Sequence, residues 1–142
     1  MQPVHFFTAD KKVSLKNRNS LKFFIASILH KEGEKELEYL SYIFCSDNFL
    51  LEINNQFLQH NFYTDILTFD LSLDKSTLNA EIYISVDRVK ENALSFGVPF
   101  YLELHRVIFH GVLHLCGFKD KTPLQRAIMR QMEEKYIQLY FK

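Results

Sequence analysis

Residues 104–120 read LHRVIFHGVLHLCGFKD. Val107, Ile108, Phe109, Val112, Leu113, Leu115 and Cys116 cover nearly the whole circumference of a helix, which places that helix in the middle of the molecule. Pro99 suits its first turn, where a missing N–H costs nothing, and Gly117 suits the residue just past its end. Two histidines interrupt the apolar surface. His110 and His114 are four residues apart, about 40° from each other around the helix, so both imidazoles point one way and can grip a single ion. Without an ion, each ring would need its own polar partner in an apolar setting. Gly117 turns the chain, and Asp120, six residues after His114, can swing back as a third ligand.

Three protein ligands leave a position for water, and a bound Zn²⁺ lowers the pKa of that water to roughly 7. His110 and His114 are therefore expected to act catalytically through a metal-bound water. In the zinc protease motif HExxH the residue after the first histidine is a general-base glutamate. Here it is Gly111, which cannot take a proton but lets another backbone approach closely. Peptide hydrolysis of that kind is not expected.

Outward from this helix, the chain of 142 residues suggests one domain, 1–142, with no repeat or Pro/Gly-rich linker. Strands are expected over 4–8, 37–44, 66–71 and 81–86. A first helix starts at a Ser20 cap and stops at Gly33, a second is capped by Asp47, and a third is capped by Asp87 and ends at Gly97. Thr122, Pro123 and Gln125 form a capping-box start for a last helix reaching Tyr140. The order is βαβαββααα, which predicts an α+β fold: a small mixed β-sheet packed with helices around a central buried metal-binding helix.

Seventeen Lys and Arg against seventeen Asp and Glu leave no net charge, which argues against coating nucleic acid or anionic membrane through bulk charge. A local basic groove remains open. Cys45 and Cys116 form no CxxC and no disulfide framework, as expected in a cytoplasmic protein. No signal peptide or membrane span is expected.

The run from His110 to Asp120 resembles the HGxLHLxGYDH signature of the YbeY family, bacterial metal-dependent endoribonucleases also called rRNA maturation factors. Thr64 to Phe69, TDILTF, resembles that family's PTDVLSFP segment, and residues 80–86, AEIYISV, resemble its GDIVIS strand. Asn54 stands where the family has an asparagine in the preceding helix, so the likeness covers about residues 53–121.

The resemblance implies a metal-dependent endoribonuclease specific for single strands. Its role would be rRNA maturation, at the 3′ end of 16S rRNA, and ribosome quality control. It implies a ribosomal protein or an assembly GTPase as partner, and one zinc ion per chain. The first two zinc ligands fall on His110 and His114. The third family histidine is Asp120 here, and its added negative charge makes the metal a weaker Lewis acid, which also admits another divalent transition metal. An arginine that the family directs at RNA phosphate is replaced by Leu58, so His60, Arg106 and Lys119 become the candidate substrate-binding residues. The family's aspartate in its GD pair is Glu81.

His105 is rotated about 140° from His110 and is expected to be structural or to support the ligands from behind. Asp65 reads as a turn or cap residue beside the cleft, and Cys116 as core. Arg126 and Arg130 share one helix face, which is either a path for RNA or a solvated face balanced by Glu133 and Glu134. An alternative function is a ribosome-assembly binding protein with a structural metal and little catalysis, to which Leu58 and zero net charge lend support. A metal hydrolase of small molecules or peptides ranks third because of Gly111.

Overall fold

A computed structural model describes residues 3–58 and 64–142. Its elements are β1 (Val4–Thr8), α1 (Arg18–Ile28), a π-helical turn (Leu29–Gly33), β2 (Glu36–Cys45), α2 (Asp47–Leu58), β3 (Ile66–Asp70), β4 (Thr77–Ser85), α3 (Val86–Phe96), α4 (Phe100–Leu115) and α5 (Pro123–Tyr140). The expected order and the α+β class both hold. The sheet order is β1-β2-β4-β3. β1, β2 and β4 run parallel, and β3 lies antiparallel along β4 at one edge.

The side-chain period of two assigns Leu40, Tyr42 and Phe44 of β2, with Ala80, Ile82 and Ile84 of β4, to one fully buried face. α4 packs there, and the Tyr42 hydroxyl donates to the Ile108 carbonyl at 2.9 Å. α1, α3 and α5 pack around α4 in turn, so the apolar circumference read from the sequence is buried on all sides. β2 is buried on both faces only from Leu40 onward, apart from half-buried Ile43.

Gly111 explains how close the helix comes. A Cβ there would lie 3.0 Å from the Cδ1 atoms of Ile66 and Ile82 and 3.2 Å from Ile82 Cγ2. Gly111→Ala is therefore expected to lower stability by about 1–2 kcal/mol, overpacking outweighing alanine's better helix propensity. A urea midpoint that stays put or rises would show that helix and sheet part freely at this point.

Several expected boundaries shift, each for a physical reason. α1 starts at Arg18 rather than at Ser20, because Asn17 takes the left-handed conformation (φ 55°) and its carbonyl accepts the Leu21 N–H at 3.0 Å. Gly33 does not stop this helix in a left-handed turn. The helix widens into the π turn, and Glu34 (φ 53°) reverses the chain. Ser46 and Ser85, not Asp47 and Asp87, cap α2 and α3: their hydroxyls accept the N–H groups of Phe49 and Arg88, each at 3.1 Å.

The two aspartates instead tie the sheet's carboxyl end together. Asp47 accepts Ser85 Oγ and Arg88 Nη2, both at 2.8 Å, while Asp87 accepts the Asp47 N–H at 2.9 Å and pairs with Lys11 at 3.2 Å. The Thr122 capping box on α5 forms as expected, with both reciprocal bonds present. Among the described residues no helix is long and apolar enough to cross a membrane.

Candidate active site

α4 ends in a Schellman turn. Gly117 (φ 105°) takes the left-handed position, its N–H bonds the His114 carbonyl at 3.0 Å, and the Phe118 N–H bonds the Leu113 carbonyl at 3.2 Å. This turn folds the following chain back along the last two turns of α4. The Phe118 carbonyl then sits 3.2 Å from His114 Nδ1, and Asp120 Oδ2 sits 3.3 Å from His110 Nε2. On the other side of the ring, His110 Nδ1 is 2.7 Å from Glu133 Oε2, delivered by α5 packed along α4.

Both Nδ1 atoms thus face acceptors. In the neutral rings these acceptors hold the proton on Nδ1 and leave the Nε2 lone pairs free, the tautomer that metal ligation by Nε2 requires. Burial pulls the His110 pKa down, but the hydrogen bond and charge of Glu133, with Asp120 and Asp65 behind it, outweigh burial and leave it above the ordinary value.

A cleft of about 530 Å³ opens beside these groups, between β3, α4 and α5. Four carboxylates line it, from Asp65, Glu103, Asp120 and Glu133, and three guanidiniums, from Arg106, Arg126 and Arg130. Burial raises the pKa of Asp65 against the lowering pull of His110, and burial likewise raises that of Glu103 against Arg106. Arg106 is 14% exposed along its side chain and pairs with Glu103 at 3.6 Å, Glu133 at 3.7 Å and Glu134 at 3.2 Å.

Among the described residues no three His, Cys, Asp or Glu side chains are gathered into a ready metal cluster. Two of the three expected donors nevertheless stand at the spacing an ion would need. The 3.3 Å between His110 Nε2 and Asp120 Oδ2 matches the edge of a tetrahedron whose metal–ligand bonds are about 2.0–2.1 Å. His114 is exposed and borders the same cleft.

Comparison with known proteins agrees with the motif. Residues 5–140 match the family described as Endoribonuclease YbeY. The chain belongs to this family. A YbeY endoribonuclease of Cytophaga hutchinsonii is 44% identical over 138 residues, covering 97% of this chain and 96% of that protein. One from Flavobacterium psychrophilum is 42% identical over 134 residues, 94% of each. The solution structure of TM1509 from Thermotoga maritima superposes with a TM-score of 0.63 at 27% identity, covering 97% of this chain and 89% of that one. YbeY relatives named as nucleases do not favour the binding-protein alternative.

The remaining expected residues fall in different places around this YbeY cleft. His60 lies outside the described residues. Lys119 is exposed and does not line the cleft, Arg106 lines it but is engaged by three glutamates, and Leu58 stands at the rim. Arg126 and Arg130, a turn apart on α5, face the cleft and are exposed. His105 is structural: its Nδ1 is 2.6 Å from the Tyr101 carbonyl, its ring stacks on Tyr140, and burial lowers its pKa. Cys116 packs against Gly33, and burial pushes its thiol up to about 12.

In the sequence Glu133 reads as surface charge balancing Arg126 and Arg130, but the structure buries it. A signal was present: Met129, Tyr136 and Ile137 form the buried stripe of α5, and Glu133 is a charged residue inside that stripe.

Proposed function

We propose that this protein is a metal-dependent endoribonuclease that cleaves single-stranded RNA within ribosomal RNA, with His110, His114 and Asp120 holding one zinc or similar divalent transition ion. The observation that carries this reading is the pairing of each histidine's Nδ1 with an acceptor, Glu133 Oε2 and the Phe118 carbonyl, in a cleft that also brings Asp120 to His110 Nε2. Such an ion would neutralise charge that develops on the phosphate oxygens and would activate the nucleophile near neutral pH, whether that is water or the RNA 2′-hydroxyl.

The protein's own side chains do the rest. His110 and His114 fix where the reacting phosphate must lie, and Arg126 and Arg130 present two cations to the RNA backbone from the facing helix. Asp65, just before β3, lines the same cleft, and burial raises its pKa. Cutting single strands suits a cleft about 530 Å³ in volume, since an unpaired backbone can bend into it while a duplex presents a rigid rod.

With no net charge on the chain, affinity from bulk electrostatics is small, which supports delivery to the ribosomal target by a partner such as a ribosomal protein or an assembly GTPase. Free Cys45 and Cys116 accord with a reducing, cytoplasmic setting.

Chelation tests the reading directly. Purified protein is expected to cleave single-stranded RNA, to lose that activity on exhaustive chelation, and to recover it with about one equivalent of zinc or another divalent transition ion. Cleavage that persists in the fully chelated protein, or that needs only magnesium, would overturn the metal assignment.

A further inference from the structure

We propose that Glu133 is a positioning residue for the metal ligand His110, with the Arg106 guanidinium as its nearby counter-charge. This rests on the metal reading of the cleft and adds two side chains to it. Glu133 Oε2 meets His110 Nδ1 at 2.7 Å, the distance of a charge-assisted hydrogen bond, and the residue is only 7% exposed. Its other oxygen faces Arg106 Nη1 at 3.7 Å. Water therefore competes weakly for the contact, and the ring is clamped from behind while Nε2 points at Asp120 and the cleft.

A carboxylate on the far nitrogen of a ligating imidazole fixes its tautomer and rotation and raises the basicity of the coordinating nitrogen. His114 has a plain carbonyl in the same place, so the two ligands are supported unequally.

Arg106 belongs to this support. Its guanidinium reaches Glu103, Glu133 and Glu134 from a side chain that is 14% exposed. It has a reason to stay buried, because Glu103 and Glu133 are themselves buried and need a counter-charge.

The test measures zinc affinity by competition with a chromophoric chelator in wild type, Glu133→Gln, Glu134→Gln and His110→Ala, together with the ¹⁵N signals of His110. Gln keeps the shape of Glu133 and removes its charge, so packing is conserved. Glu133→Gln is expected to bind zinc about 10–100-fold more weakly, and its His110 Nδ1–H signal to shift. Glu134→Gln, which also touches Arg106 but not the histidine, is expected to bind as wild type does.

Wild-type affinity in Glu133→Gln alongside a weakened His110→Ala would overturn the proposal and leave the metal site standing. An equal loss in Glu134→Gln would also overturn it, because the effect would then be one of general charge. Wild-type affinity in His110→Ala would instead remove the metal reading on which the proposal rests.

Discussion

Replacing His114 with alanine is expected to lower metal-dependent RNA cleavage by at least about 100-fold, the scale of losing one pre-placed group that meets charge in a transition state. The same change is expected to cost the metal-free fold no more than about 1 kcal/mol. His114 is exposed, and among the described residues its ring makes one hydrogen bond, to the Phe118 carbonyl at 3.2 Å. The Schellman turn that shapes this corner is made from backbone groups of Leu113, His114, Gly117 and Phe118, which alanine leaves intact. Activity and stability should therefore separate. The measurements are cleavage of a labelled single-stranded RNA and urea unfolding of the same preparations. Equal cleavage by variant and wild type would mean that the activity comes from elsewhere, a contaminating nuclease first of all.

Phe109→Ala is expected to show the reverse pattern, with a loss of about 3–5 kcal/mol of folding stability. Phe109 is the immediate neighbour of a proposed ligand but points a quarter-turn or so away from it, into a fully buried cluster of rings. Phe24 of α1 lies 5.3 Å from it between centroids, Tyr140 of α5 5.8 Å, and His105 6.2 Å. The ring thus joins three helices, and removing it leaves a cavity that no single neighbour can fill. For a domain of this size a total stability of about 5–15 kcal/mol is usual, so the variant should sit near the edge of folding at room temperature. Chemical denaturation checks this, and a loss under about 1 kcal/mol would show that the helices collapse around the gap.

What could be read from the sequence was local. The circumference of α4, the capping box at Thr122, the left-handed Gly117 and the fold-back that brings Asp120 to His110 each depend on residues within about ten positions of one another, and each is found in the structure. Side chains committed across long intervals could not be read. Asp47 and Asp87 have the composition of caps, yet their carboxylates are taken by Ser85, Arg88 and Lys11. The neighbouring serines cap the helices instead.

β4 was expected only from Glu81 but begins at Thr77, because pairing with β2 holds Leu78, Asn79 and Ala80 extended although Asn and Ala have low strand preference. Glu133 lies 23 residues from His110, and nothing local distinguishes it from Glu134 except its place in a buried stripe. Arg106 lines the cleft but is enclosed by glutamates from its own helix and from α5, a fact of tertiary packing that no spacing rule contains.

Gly111 stands between the two histidine-bearing turns of α4, with Ile66 and Ile82 pressed against the space where a side chain would be. Ile66 also lines the cleft that the histidines border. A methyl group at position 111 would therefore press on a side chain that lines the cleft. A misplacement of about 1 Å in a catalytic constellation can cost on the order of 100-fold in rate. In this protein the tolerance of the chemistry is machined into the hydrophobic layer, so drift at position 111 should blunt the enzyme well before it unfolds it.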